Sequence, residues 1–115
     1  MVLTSVQEVF EGLKRRTFEP RLRGVYGSYR FDILGVGSFR VSVSDGDLRV
    51  VESEGGGDCV ITCGPGVFLR IVNGTQNLLT AAMQGLVEIG GDLALAQRLH
   101  ALLPSPLEEH AGEQP

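Results

Sequence analysis

Two cysteines, two histidines and a scatter of carboxylates are the residues of this sequence that chemistry can use most readily. Cys59 and Cys63 stand four apart in Asp58-Cys-Val-Ile-Thr-Cys63. In an extended strand four residues span about 13 Å, well beyond the roughly 7 Å limit between bridged Cα atoms. The segment is rich in β-branched residues and bounded by Gly64-Pro65, so a strand is the expected form. The thiols are then expected to be reduced, buried and apolar in role. A zinc site joining them to His100 and His110 lacks the paired-ligand spacing such sites use. Neither a metal nor a cofactor is expected. Asp45, Asp47, Glu52 and Glu54 fall in turns and strand edges, without an evident general acid–base pairing. There is no G-x-S-x-G elbow and no H-E-x-x-H helix. Gly35-Val36-Gly37 and Gly55-Gly56-Gly57 are glycine-rich, yet no helix follows either one directly, as a phosphate-cradling loop requires. These residues point away from catalysis, and the chain is expected not to be an enzyme.

The elements that carry them can be read from spacing. Ser5 and Glu8 fit a capping box at the start of a helix over residues 5–16, with Leu3, Val6, Phe10 and Leu13 on one face. Lys14, Arg15 and Arg16 suit its C-terminal end, and Glu19-Pro20 excludes further helix. Alternation predicts strands over 26–34, 39–44 and 48–53, the last two joined by a tight Asp45-Gly46-Asp47 turn. A fourth strand over 59–63 leads through Gly64-Pro65-Gly66 into a helix over 67–73. Asn77 caps a short helix that runs to Met83, and a fifth strand covers 86–89. Asp92 caps a last helix over 93–103, which Pro104 stops. The strand–helices–strand connection predicts a right-handed crossover with the fourth and fifth strands parallel. The expected fold is α+β: a five-stranded mixed sheet, an antiparallel meander plus a parallel crossover pair, with helices on one face. One domain over residues 1–104 and a disordered acidic tail over 105–115 complete the expectation.

The helices carry more apolar surface than one sheet face needs. Leu93, Ala96, Leu99 and Leu103 make one stripe, widened by Leu95 and Leu102. The short helix offers Leu78, Leu79, Ala82 and Met83, and the preceding one Phe68, Leu69, Ile71 and Val72. Two readings fit: a filled core, the usual meaning of such stripes, or a cavity enclosed beside small residues such as Ala81, Ala82, Ala94 and Ala96.

Composition narrows the partners. The 115 residues carry a net charge of −4, which disfavours nucleic acid. Lys14, Arg15, Arg16, Arg21 and Arg23 cluster early; such a patch can make transient contact with an anionic membrane surface, although a solvated face is the commoner meaning of a charge run. No secretory leader and no apolar span near 18 residues is evident, so a cytoplasmic location is expected.

Taken together, Ser5-Val-Gln-Glu-Val-Phe10, Tyr29-Arg-Phe-Asp-Ile33, Asp58-Cys-Val-Ile-Thr62, Ala82-Met-Gln-Gly85 and Ile89-Gly-Gly-Asp-Leu93 with Ala96 and Leu99 resemble the sterol carrier protein type 2 family in order and spacing. The resemblance runs from about residue 3 to residue 104. It implies a hydrophobic tunnel that binds sterols, fatty acids, acyl-CoA or phospholipid without chemistry. Its wall would map onto Phe31, Ile33, Phe68, Ile71, Leu79, Met83, Gln84, Leu95, Leu99 and Leu102. Gln84 is the polar member, suited either to a ligand head group or to the local turn with Gly85. The alternative that the resemblance implies is an accessory scaffold domain in lipid or quinone biosynthesis. The chain departs from many relatives in having Phe39-Arg40 where they carry Trp, and Gly64-Pro65-Gly66 in place of an acidic helix start.

Overall fold

Alternating apolar and polar residues build each strand, and the core follows from that alternation. The computed structural model describes residues 5–52 and 55–99. Its strands are β1 (Tyr26–Ile33), β2 (Gly37–Ser44), β3 (Asp47–Glu52), β4 (Cys59–Cys63) and β5 (Val87–Gly91). Its helices are α1 (Val6–Arg15), α2 (Pro65–Val72), α3 (Leu78–Met83) and α4 (Leu93–Gln97), with a 3₁₀ turn at Pro20–Leu22. The strands form one sheet in the order β3-β2-β1-β4-β5. Tyr29, Phe31 and Ile33 of β1, Phe39, Val41 and Val43 of β2, and Cys59, Ile61 and Cys63 of β4 make the buried rows. They share one core with Val6, Val9, Phe10 and Leu13 of α1 and Phe68 and Val72 of α2. The alternate rows, with Ser28, Arg30 and Asp32 on β1 and Ser38, Arg40 and Ser42 on β2, are polar and belong to the face without helices.

Phe10 is the hub of that core. Its ring stacks on Phe39 at 4.1 Å between centroids and lies 5.5 Å from Phe31 and 5.6 Å from Phe68. Aromatic pairs in this range add about 0.5–1.5 kcal/mol each beyond area burial. The N-cap half of the capping box forms: the Glu8 amide donates to Ser5 Oγ at 3.2 Å, and the Ser5 hydroxyl donates to Glu8 Oε1 at 3.4 Å. Past the helix, buried Glu19 accepts from Arg16 Nη2 and from the Arg21 amide. Burial alone would raise its pKa; the bonds from Arg21 and the charges of Arg21 and Arg16 outweigh that and hold it below 4.5. The β2–β3 turn forms as expected, with Asp45 at φ 49° and Gly46 at φ 91°.

Both cysteines are free and buried in β4, as expected for small apolar residues of a strand. Burial pushes both thiols up to about 11, with the Asp92 charge adding to the effect at Cys59.

Two expectations are corrected. The fourth and fifth strands are antiparallel, not parallel: β5 starts at Val87 opposite Cys63, where β4 ends, and runs back to Gly91 opposite Cys59. The parallel pair is instead β1 with β4, crossed by way of the β2–β3 hairpin. The reason lies in the connection. A single helix would carry the chain back to the start of β4, but two helices joined by a turn bring it back to the end it left. The last helix also differs. α4 spans only Leu93–Gln97, and residues 100–115, including Leu102 and the tail, lie outside the described residues. Its buried stripe is Leu95, Ala96 and Leu99; Leu93 is 64% exposed. Positions 93 and 95 differ by about 200° around a helix, so they cannot share a face.

Candidate ligand-binding site

Four segments meet near the β4–β5 side of the sheet. Strand β1 contributes Tyr29, Phe31 and Ile33, all buried. Phe31 packs edge-on to Phe68 of α2 at 5.8 Å. α4 is started by Asp92, whose Oδ1 accepts from the amides of Ala94 and Leu95 at 2.9 and 3.3 Å. It is then tied to the sheet by the Tyr29 hydroxyl, which donates to the Leu95 carbonyl at 2.5 Å. Burial raises the Tyr29 pKa above its ordinary 10.0, with Cys59 adding to the effect, so the hydroxyl stays a donor. Tyr29 was not among the expected site residues. A tyrosine in the inward row of a strand is the available signal, since its hydroxyl needs a buried partner.

α3 completes the region. Asn77 Oδ1 accepts from the Thr80 amide at 3.0 Å to start it. Its sequence, Leu-Leu-Thr-Ala-Ala-Met, contains no charged residue. Ala81 is buried, whereas Leu79 is 55% and Met83 87% exposed.

The expected lining residues therefore divide. Phe31, Ile33, Phe68, Leu95 and Leu99 are brought together in the core, and Ile71 packs at its margin. Leu79, Met83 and Gln84 face solvent. The backbone N–H of Gln84 caps α3 by donating to the Thr80 carbonyl at 3.0 Å. Leu102 lies outside the described residues. Met83 and Leu99, expected to face one cavity, thus differ sharply in environment. Leu86 and Leu93, which were not expected in the site, add further exposed apolar surface.

Residues 7–104 match the SCP-2 sterol transfer family. The chain belongs to that family. A search of curated proteins returned no match. Among solved structures, this SCP-2 domain is similar to a palmitated SCP2L2 from Aedes aegypti, with a TM-score of 0.66 and 24% identity over 87% of this chain and 95% of that one. It is similar to a UbiJ-SCP2 ubiquinone synthesis protein, with a TM-score of 0.63 and 23% identity over 84% and 94%. It is also similar to part of a double mutant of the sec-alkyl sulfatase PisA1, with a TM-score of 0.74 and 20% identity over 90% of this chain. It spans only 17% of that sulfatase chain, so the same fold there forms one portion of a much larger protein. At these identities the structural likenesses establish the five-stranded α+β fold. Among the described residues no helix is long and apolar enough to cross a membrane.

Proposed function

We propose that this SCP-2 domain binds and carries a hydrophobic ligand, a fatty-acyl or sterol-like lipid, without chemistry. The ligand lies between α3, α4 and the inner face of the sheet. Family membership supports this reading. The observation that carries it is α3: a helix without charge, with Leu79 and Met83 exposed while Ala81 between them is buried. Burying a leucine or methionine side chain is worth about 1.5–3 kcal/mol. An apolar ligand covering both side chains recovers free energy that the unliganded chain leaves unused. Partly buried Ile71 would add to the apolar contact, and Gln84 at the end of α3 would meet a polar head group.

Leu79→Ser/Met83→Ser tests the reading. Both side chains are exposed, so the fold should hold within about 0.5 kcal/mol. Affinity for a fluorescent fatty acid should fall at least tenfold, about 1.4 kcal/mol. A second reading is favoured by the likeness to a ubiquinone synthesis protein: an accessory domain that holds a protein partner. Native mass spectrometry of protein purified from cells separates the two. A co-purifying lipid supports the carrier. A stoichiometric protein partner, with no binding of fatty acid, sterol or acyl-CoA by the wild type, would replace it with the accessory domain.

A further inference from the structure

The face of the sheet without helices holds a charge arrangement that neither the core nor the ligand region uses. Arg30 of β1 and Arg40 of β2 are direct cross-strand partners, which sets their Cβ atoms roughly 5 Å apart. Like charges so placed destabilise a sheet. Arg49 of β3 stands opposite Ser42, two residues along β2 from Arg40 and on the same face. Three guanidinium groups thus cross three adjacent strands of a chain whose net charge is −4.

Among the described residues, carboxylate compensation reaches only Arg30. Asp32 accepts from Arg30 Nε at 3.3 Å and Nη2 at 3.1 Å, and also from the Ser38 hydroxyl at 2.8 Å. Asp58, near the same rows, accepts from the Ser28 amide at 2.9 Å. Among the described residues no carboxylate pairs with Arg40 or Arg49. Arg40 Nη1 touches the Gly55 carbonyl at 3.5 Å, and its Nε is buried without a hydrogen-bond partner.

The glycine loop holds this pair in place. Arg30 Nη1 donates to the Gly56 carbonyl at 3.0 Å. A Cβ on Gly56 would lie 2.6 Å from Arg40 Nη1, and one on Gly57 would lie 2.8 Å from Arg30 Cβ. The loop can therefore lie flush on both side chains only because it lacks side chains there. Its carbonyls orient the guanidinium groups without neutralising them; Asp32 pairs with Arg30, and among the described residues Arg40 and Arg49 have no carboxylate partner. Fixed arginines with spare donors match the oxygens of a multiply charged tetrahedral anion better than a single carboxylate.

We propose that Arg40, flanked by Arg30, Arg49 and the Ser42 hydroxyl, forms a binding site for a phosphate-bearing anion on this face of the sheet. The site is separate from the lipid region and does not depend on it.

Inorganic pyrophosphate is the first probe, titrated into the intact chain against sodium chloride at equal ionic strength. Pyrophosphate should raise Tm where chloride does not, and calorimetry should show one saturable site. Arg40→Gln should weaken that binding at least tenfold, while Arg15→Gln on α1 should leave it unchanged. Without anion, Arg40→Gln should be as stable as the wild type or more so, because it relieves the opposed charges. Vesicles identify the source of the phosphate. Binding to phosphatidylglycerol over phosphatidylcholine that Arg40→Gln abolishes assigns a lipid head group; pyrophosphate binding alone assigns a soluble phosphate. If neither probe binds better than chloride, or Arg40→Gln binds them as the wild type does, the proposal fails and the arginines serve only to hold the loop.

Discussion

Tyr29 does two jobs with one side chain. Its ring fills the inner face of β1, 6.3 Å from Phe31 between centroids, and its hydroxyl holds the Leu95 carbonyl of α4. Tyr29→Phe keeps the ring and removes one of the two hydrogen bonds to the Leu95 carbonyl, which still accepts from the Arg98 amide at 3.0 Å, at a cost of about 1 kcal/mol. For a domain of this size that is a Tm loss of about 4–8 °C at pH 7. The effect should also depend on pH, with a definite sign. Burial raises the folded-state pKa above 10.0, so the hydroxyl's contribution is complete below pH 10 and is lost as pH rises toward the folded value. Wild type and Tyr29→Phe should therefore converge in stability above pH 10, with Cys59 and Cys63 titrating alike in both. Thermal melts from pH 7 to 11 check this. A constant gap across that range would mean the hydroxyl makes no such bond.

At the scale of elements, β5 explains both the success and the miss of sequence reasoning. The alternation in Tyr29, Phe31 and Ile33 and in Cys59, Ile61 and Cys63 marks strands outright, and Ser5, Asn77 and Asp92 each cap the helix their position announces. The direction of β5 was not legible in the same way. It depends on how α2 and α3 fold back across the turn between them, which involves contacts far apart in sequence. The junction of β5 and α4 is correspondingly strict. Gly91 has φ 83°, and a Cβ there would lie 2.1 Å from the Asp58 carbonyl oxygen. That same carbonyl accepts from the Asp92 amide at 2.8 Å, next to the cap of α4. Gly91→Ala must break this bond and strain the backbone, for a loss of about 2–4 kcal/mol. A Tm fall of at least about 8 °C should follow, with faster amide exchange at Ala94 and Leu95 than elsewhere in the sheet. A neutral Gly91→Ala would contradict the antiparallel β4–β5 register.

Across the whole molecule, the sequence showed apolar excess but not where the excess lies. Leu99 and Met83 read alike as members of helical stripes; folding buries the first and leaves the second at the surface because α3 presents Ala81, not Met83, to the core. Exposure makes Met83 a useful reporter of the proposed ligand. The chain contains no tryptophan, so Met83→Trp introduces a single indole whose emission reports its surroundings. The substitution should cost less than about 0.5 kcal/mol, as surface changes usually do. Leu99→Trp overpacks a dense interior and should cost about 1–3 kcal/mol. In the unliganded Met83→Trp protein the indole is in water and should emit at long wavelength. Adding a fatty acid should shift the emission to the blue and saturate with the same midpoint as direct binding. If ligand binds and the emission does not move, the ligand sits away from α3, and the exposed Leu79 and Met83 must be explained by contact with something other than the carried lipid.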